Sequence, residues 1–324
     1  VIICIGPRRA QVFINKITPE LGYPHMVGRT YTWLYRTPVL PAATYLFWMI
    51  DRLDPAERRL AASFYRYINA QGDGYRALND PAKGVGRFRL LRRLHEAGIN
   101  DFNAYLVSED RRPARFPVFI RNNTRSLKPL TPLLETQGEL DRAVEALIAE
   151  GEPAEDLLII ELCSEPLKPG VHVRYSTFRI GDQVFPCYNI YEDNWYANWG
   201  TANLVDEAEH RREQAMLADS PYNDTLRRAF ELADIEYGRA DFGVVGGRPQ
   251  IYEINFNPRL IPSDGKEFEP HPIRQENRWS VFRRRAEALH AIDGRGTGSV
   301  RTLTTDELRQ FRLRFWRNYA PQRY

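Results

Sequence analysis

The chain has 324 residues, 43% of them apolar, which fits about two globular domains with a sizeable core and excludes a disordered or fibrous chain. A net charge of +3 does not by itself indicate a polyanionic partner, and the longest apolar run, Leu40 to Ile50, is too short to span a bilayer and ends in Asp51-Arg52. Three scattered cysteines, Cys4, Cys163 and Cys187, form neither a disulfide framework nor a zinc spacing, and they fit reduced thiols in a cytoplasm.

In chain order, Val1 to Ile5 is predicted to be a short buried strand. The run Leu40 to Ile50 is a buried element inside an aromatic, proline-rich stretch without a clear period. Leu60, Phe64 and Tyr67 predict a helix over 55–68, followed by a turn at Gln71 to Gly74 and a strand ending at Leu78-Asn79-Asp80-Pro81. A helix over 86–96 stops at Gly98. Next come a strand at 117–121, a polar loop at 122–126, a helix at 139–150 and a fully buried strand at 157–162. Residues 171–180 and 183–191 form a hairpin across Gly181-Asp182. A polar-aromatic loop at 192–201 leads to helices near 204–217 and 222–234. A second hairpin covers 239–256, and helices follow at 281–292 and from the capping pair Thr304 and Glu307 onward.

The second hairpin carries the chemistry. A three-residue loop centred on Gly247 sets Asp241 opposite Glu253, with β-carbons about 5 Å apart. Alternation puts Asn255 and Asn257 on the same face and Phe242, Val244, Tyr252, Ile254 and Phe256 on a core face. Opposed carboxylates repel unless a cation sits between them, and two acids with an amide suit magnesium on a nucleotide tail. A solvated polar face on an amphipathic hairpin is the plainer alternative, and a register slip of one residue would part the acids.

The run Arg239 to Phe242 followed by Tyr252-Glu253-Ile254-Asn255-Phe256-Asn257-Pro258 resembles the metal-binding signature of ATP-grasp enzymes. The resemblance implies that Asp241, Glu253 and Asn255 hold Mg2+ on ATP. It extends over about residues 75–260, through Asn79-Asp80-Pro81, a helix at 226–235 before Asp241, and two strands. By the same resemblance the strand 116–121 delivers a phosphate-binding side chain, and the hinge strand 158–163 offers the backbone of Glu161, Leu162 and Cys163 to adenine. The family's lysines are replaced by Arg87 and Arg121, and its glycine-rich lid is absent, with Arg125 and Lys128 as substitutes. Only five of the 45 basic residues are lysines, which fits such a replacement. Arg174 and Asn198 resemble stations of the amino-acid ligase branch, where an arginine orients the acyl group and an asparagine faces the phosphates. Pairing of Arg174 with Glu192 or Asp193 is the ordinary alternative, and Trp195, Tyr196 and Trp199 either line a pocket or pin their loop down.

The expected fold is α+β: an N-terminal α/β lobe at 1–95, an ATP-grasp-like domain at 96–300 with two sub-lobes meeting near 163, and an amphipathic helix at 301–324 docked on the body. On that helix Leu308, Phe311, Phe315 and Tyr319 share one side, away from Arg309, Arg312 and Arg317. The expected activity is an ATP-dependent ligase that joins a carboxylate to an amine through an acyl phosphate, with no membrane role, with a homo-oligomer allowed, and with nucleic-acid binding through the arginine-rich helices as a weaker rival. A phosphotransferase on the same fold and a nucleotide- or protein-binding module without turnover are the alternatives.

Overall fold

Ile2, Ile3, Cys4 and Ile5 are apolar on both faces, as a strand covered on both sides requires. They form β1 (Ile2–Gly6), which is buried throughout. The computed structural model describes residues 1–8, 11, 14, 22–124, 128–196, 200–256, 258, 271–294 and 296–319. After β1 come β2 (Met26–Thr30), α1 (Tyr31–Arg36), β3 (Val39–Pro41), β4 (Ala43–Phe47), α2 (Pro55–Asn69) and β5 (Tyr75–Leu78). Strands β2, β1, β4 and β5 lie side by side in that order, all parallel. Parallel neighbours need a crossover, and α2 provides it between β4 and β5. Asp54 starts α2 by accepting hydrogen bonds from the Ala56 and Glu57 N–H groups, with Pro55 in the first turn. The apolar run from Leu40 resolves into the fully buried β4, while the aromatic-rich stretch before it also holds β2, α1 and β3.

The middle of the chain supplies α3 (Arg87–Glu96), β6 (Ala104–Leu106), β7 (Val118–Asn122), α4 (Gln137–Ala149) and β8 (Leu157–Glu161). Strands β6, β8 and β7 make an antiparallel sheet on which α4 packs Leu140, Val144 and Leu147. Next come β9 (His172–Ile180), β10 (Gln183–Glu192), α5 (Glu207–Ala218), α6 (Asn223–Leu232), β11 (Tyr237–Val245) and β12 (Arg248–Asn255). These four strands form a second antiparallel sheet in the order β10-β9-β11-β12.

The following helix, α7 (Pro272–Ala291), begins well before the expected 281. Its first turns carry Arg274 and Asn277, which look like surface residues in the sequence but are buried against Glu213 of α5. The arginine run at 283–285 is likewise absorbed by the fold. Arg285 is buried with its guanidinium 4.2 Å from the Phe178 ring centroid, Arg284 donates to Leu217 O, and Arg283 pairs with Glu276.

Strand β13 (Ser299–Arg301) pairs with β3, and α8 (Asp306–Tyr319) follows. Its cap is Thr305, whose hydroxyl accepts from the Leu308 N–H, one residue later than the expected Thr304. Leu308 is buried, the Phe311 ring meets Tyr35 edge-on at 5.0 Å, and the Arg312 Nε donates to Tyr35 O, so this end of α8 is docked. The side chains of Phe315, Arg317 and Tyr319 lie outside the described residues. A single apolar cluster runs from Tyr45, Phe47 and Phe64 across to Phe230, Phe242 and Ile254, so the parallel sheet and the β11–β12 hairpin share a core. Among the described residues no helix is long and apolar enough to cross a membrane.

Candidate nucleotide and metal site

The site is built on the β11–β12 hairpin. Gly246 and Gly247 have φ of 55° and 77°, the backbone of a two-residue turn, and Val245 pairs with Arg248. This loop is one residue shorter than expected, and carried along the strands its register would set Asp241 opposite Tyr252. A bulge between Asp241 and Phe242 inserts one extra residue on β12, so that Asp241 faces Glu253 after all. The bulge corrects the expected side for Tyr252. It leaves the Phe242 face, where Ile251 takes its place, and its hydroxyl donates to Cys163 O at 2.8 Å. Gly243 makes room for it, since a Cβ there would lie 2.1 Å from the Tyr252 hydroxyl.

Asn255 joins the two acids. Its Nδ2 donates to Asp241 Oδ2 at 3.2 Å and to Glu253 Oε1 at 3.0 Å. Asp241 Oδ1 accepts from Ser176 Oγ at 2.8 Å and Arg239 Nε at 2.7 Å, and its Oδ2 from Arg239 Nη2 at 2.8 Å. Those four bonds fill the four acceptor positions of a carboxylate. Glu253 Oε2 accepts from Arg87 Nη2 at 2.9 Å, and Arg87 also donates to Asn122 O at 3.1 Å. Arg174 Nη1 lies 3.8 Å from Asp241 Oδ2. Its ordinary alternative partner Glu192 instead accepts from the Gly200 N–H and the Thr201 hydroxyl.

Among the described residues Arg87, Arg121, Arg174 and Arg239 bear on the two carboxylates, and the charges set each other's protonation. Burial pushes the Asp241 carboxyl up, but Arg239 and Arg174 outweigh it and hold the pKa below the usual value. Burial and the Asp241 charge push Glu253 up, and Arg87 with Arg121 bring it below the usual value. Burial and the nearby Arg87 lower the pKa of Arg121, with Glu253 opposing them. Beside these groups, Trp195 packs on Phe119 of β7 with ring centroids 4.9 Å apart, which pins the loop after β10 to the other sheet.

No family model matches the sequence, and no curated protein matches it. Solved structures do. The chain aligns with the ATP-grasp ligase PsnB complexed with a phosphomimetic variant of its minimal precursor, Mg and ADP, at TM-score 0.53 and 12% identity, covering 90% of this chain and 96% of that one. It aligns with PsnB complexed with minimal precursor at TM-score 0.51 and 13% identity, covering 90% and 98%. This chain has the ATP-grasp fold. At such identity the likeness carries the fold and not the substrate.

Asp241, Glu253 and Asn255, the expected metal-holding residues, are together on the paired strands, with Arg87, Arg121 and Arg174 around them. Asn198, Asn257, Arg125 and Trp199 lie outside the described residues. Lys128 is exposed just beyond a segment that is not described. In the hinge strand the Leu162 N–H donates to Pro117 O at 2.9 Å and Cys163 O accepts from Tyr252, so these two groups are engaged within the fold itself. The Glu161 side chain is turned away into a buried network with Tyr105, the Asn103 and Ala114 N–H groups and Arg115.

The ATP-grasp fold implies magnesium, and the donor set fits it. Among the described residues no three His, Cys, Asp or Glu side chains cluster, so the oxygens at hand are the two carboxylates and the amide beside them. The Asn255 Nδ2 stands where the oxygens of both carboxylates converge. Turning that amide over replaces a donor with an oxygen and vacates one acceptor position on each carboxylate. Ser176 and Arg239 escaped the sequence reading as site residues. Ser176 sits opposite Asp241 only through the β9–β11 pairing, while the Arg239–Asp241 spacing of two residues on one strand face was a usable signal.

Proposed function

We propose that the chain is an ATP-dependent carboxylate–amine ligase. The reading is carried by one observation: Asp241 and Glu253 oppose each other across paired strands, bridged by Asn255, on an ATP-grasp fold. In this reading the chain divides at about residues 95 and 300, and adenine lies against the hinge at Glu161, Leu162 and Cys163, meeting the Leu162 C=O and the Cys163 N–H instead of the groups bonded within the fold. Arg87 and Arg121 hold the phosphates by forked, charge-assisted hydrogen bonds, with Lys128 at the rim. Asp241, Glu253 and Asn255 hold magnesium, which when bound neutralises charge on the transferring phosphate. Arg174 orients the carboxylate substrate in line with the terminal phosphate, and Asn198 faces the phosphates.

The carboxylate oxygen attacks the terminal phosphorus of ATP, ADP leaves, and an acyl phosphate forms. The amine then adds to the acyl carbon, inorganic phosphate departs with the bonding pair, and the proton lost by the nitrogen leaves on the phosphate. The residues act by positioning and by fixed positive charge. The test is a matrix of acids and amines scored for ADP and inorganic phosphate. One acid–amine pair that releases both and yields the amide is the expected result. A phosphorylated product without free phosphate would replace ligation with phosphotransfer, and ADP release from no pair would leave a binding module.

A further inference from the structure

Each carboxylate of the pair already has an arginine. Arg239 grips both oxygens of Asp241, and Arg87 donates to Glu253. Arg174 adds its charge 3.8 Å from Asp241, and Arg121 adds its own beside Glu253. Among these six described side chains four positive charges face two negative ones. Arg87, Arg174 and Arg239 are only 11%, 15% and 20% exposed, so salt screens them weakly. Guanidiniums keep their charge throughout the working pH range.

A lone dication would approach against that surplus and meet an Asp241 whose acceptor positions are all filled. A polyphosphate would be attracted, and its oxygens match the planar forks of the arginines. We propose that this site takes the nucleotide polyphosphate first, without a divalent cation, and that the cation's site forms only when the phosphates have drawn the arginines off the carboxylates. This rests on the ATP reading given above. The exchange leaves no buried charge alone, because each guanidinium passes from a carboxylate to a phosphate. Once Arg87 turns to a phosphate, Glu253 Oε2 loses its donor, and the polyphosphate brings more negative charge than the surplus of two, so the occupied site is net negative and attracts a cation.

The order is tested by calorimetric titration of the full chain with ATP in EDTA, and with Mg2+ or Mn2+ alone. ATP is expected to bind in EDTA, while neither metal ion alone gives heat or a thermal shift. Arg121→Gln and Arg174→Gln are expected to weaken metal-free binding by about ten- to a hundredfold. Glu253→Gln removes a negative charge yet keeps an acceptor for Arg87, and is expected to tighten metal-free binding. Circular dichroism on each variant separates loss of binding from loss of fold. The proposal is overturned if Mg2+ or Mn2+ alone binds wild type and ATP binds only with it, or if Glu253→Gln weakens metal-free binding. Metal-free binding with no acid–amine turnover sinks the ligase reading and leaves this one standing. Turnover with strictly metal-dependent binding does the reverse, and no nucleotide binding in either condition ends both.

Discussion

Asn79 braces the strand that carries the site, and its removal is the sharpest test of how that strand is held. The residue is fully buried at the end of β5 with φ of 65°. Its Oδ1 accepts from the Glu236 and Tyr237 N–H groups, both at 2.9 Å, and its Nδ2 donates to Tyr237 O at 2.8 Å and, at a longer 3.3 Å, to Phe47 O. It thus ties β4 and β5 to the first residue of β11, two positions before Arg239 and four before Asp241. Asn79→Ala strands three well-bonded backbone groups in the interior, each worth about 1–2 kcal/mol, and adds about 1 kcal/mol for alanine in the left-handed region. The expected loss is about 4–7 kcal/mol, a large part of a typical domain's stability. Urea denaturation monitored by far-UV circular dichroism measures it. Asn79→Gly, which removes the same bonds without the backbone conflict, should recover about 1 kcal/mol of that loss. A loss below about 1 kcal/mol for the alanine variant would refute the brace and the share of β11's position credited to it.

Two further outcomes follow from buried charge. Glu213→Ala leaves Arg274 buried without its carboxylate and should cost about 3–5 kcal/mol, whereas combining it with Arg274→Met should restore much of the loss; a double variant no more stable than the single would contradict that account. Asp241 and Glu253 have folded-state pKa values below their unfolded ones, so their stabilising contribution is complete above about pH 4 and fades as pH falls through the lowered values. The urea midpoint of wild type should therefore drop more steeply below about pH 4 than that of an Asp241→Asn, Glu253→Gln variant, and equal slopes would show the pair to be uncoupled from folding.

Local pattern carried much of this fold. The strand at β1, the helix after Asp54, both hairpins and the buried β8 follow from apolar periodicity and glycine turns, which act over a few residues. The Asp241–Glu253 opposition was legible too, but through two offsetting differences: the turn is one residue shorter than expected and the bulge adds that residue back. Bulges depend on the neighbouring layer, here the space beside Gly243 and the Cys163 carbonyl, and no pattern within the hairpin announces that. The start of α7 was hidden because Arg274 and Asn277 read as solvent-facing until Glu213, some sixty residues away in the chain, is seen to meet them. Arg87, Arg121 and Arg174 could be nominated singly by resemblance. That each acid is already neutralised by an arginine is a property of the assembled sheets.

The bulge at Tyr252 gives the hairpin two registers. From Phe242 to Ile251 the strands keep the count set by the glycine turn, and at Asp241 and Glu253 they run one residue out of step with it. Strand β9 pairs with β11 on both sides of that step, Ser176 with Asp241 and Tyr175 with Phe242, so the offset is taken up entirely by β12. The acid pair is therefore aligned by the bulge, and a side chain filling the space beside Gly243 that Tyr252 occupies would act on the acids without touching either of them.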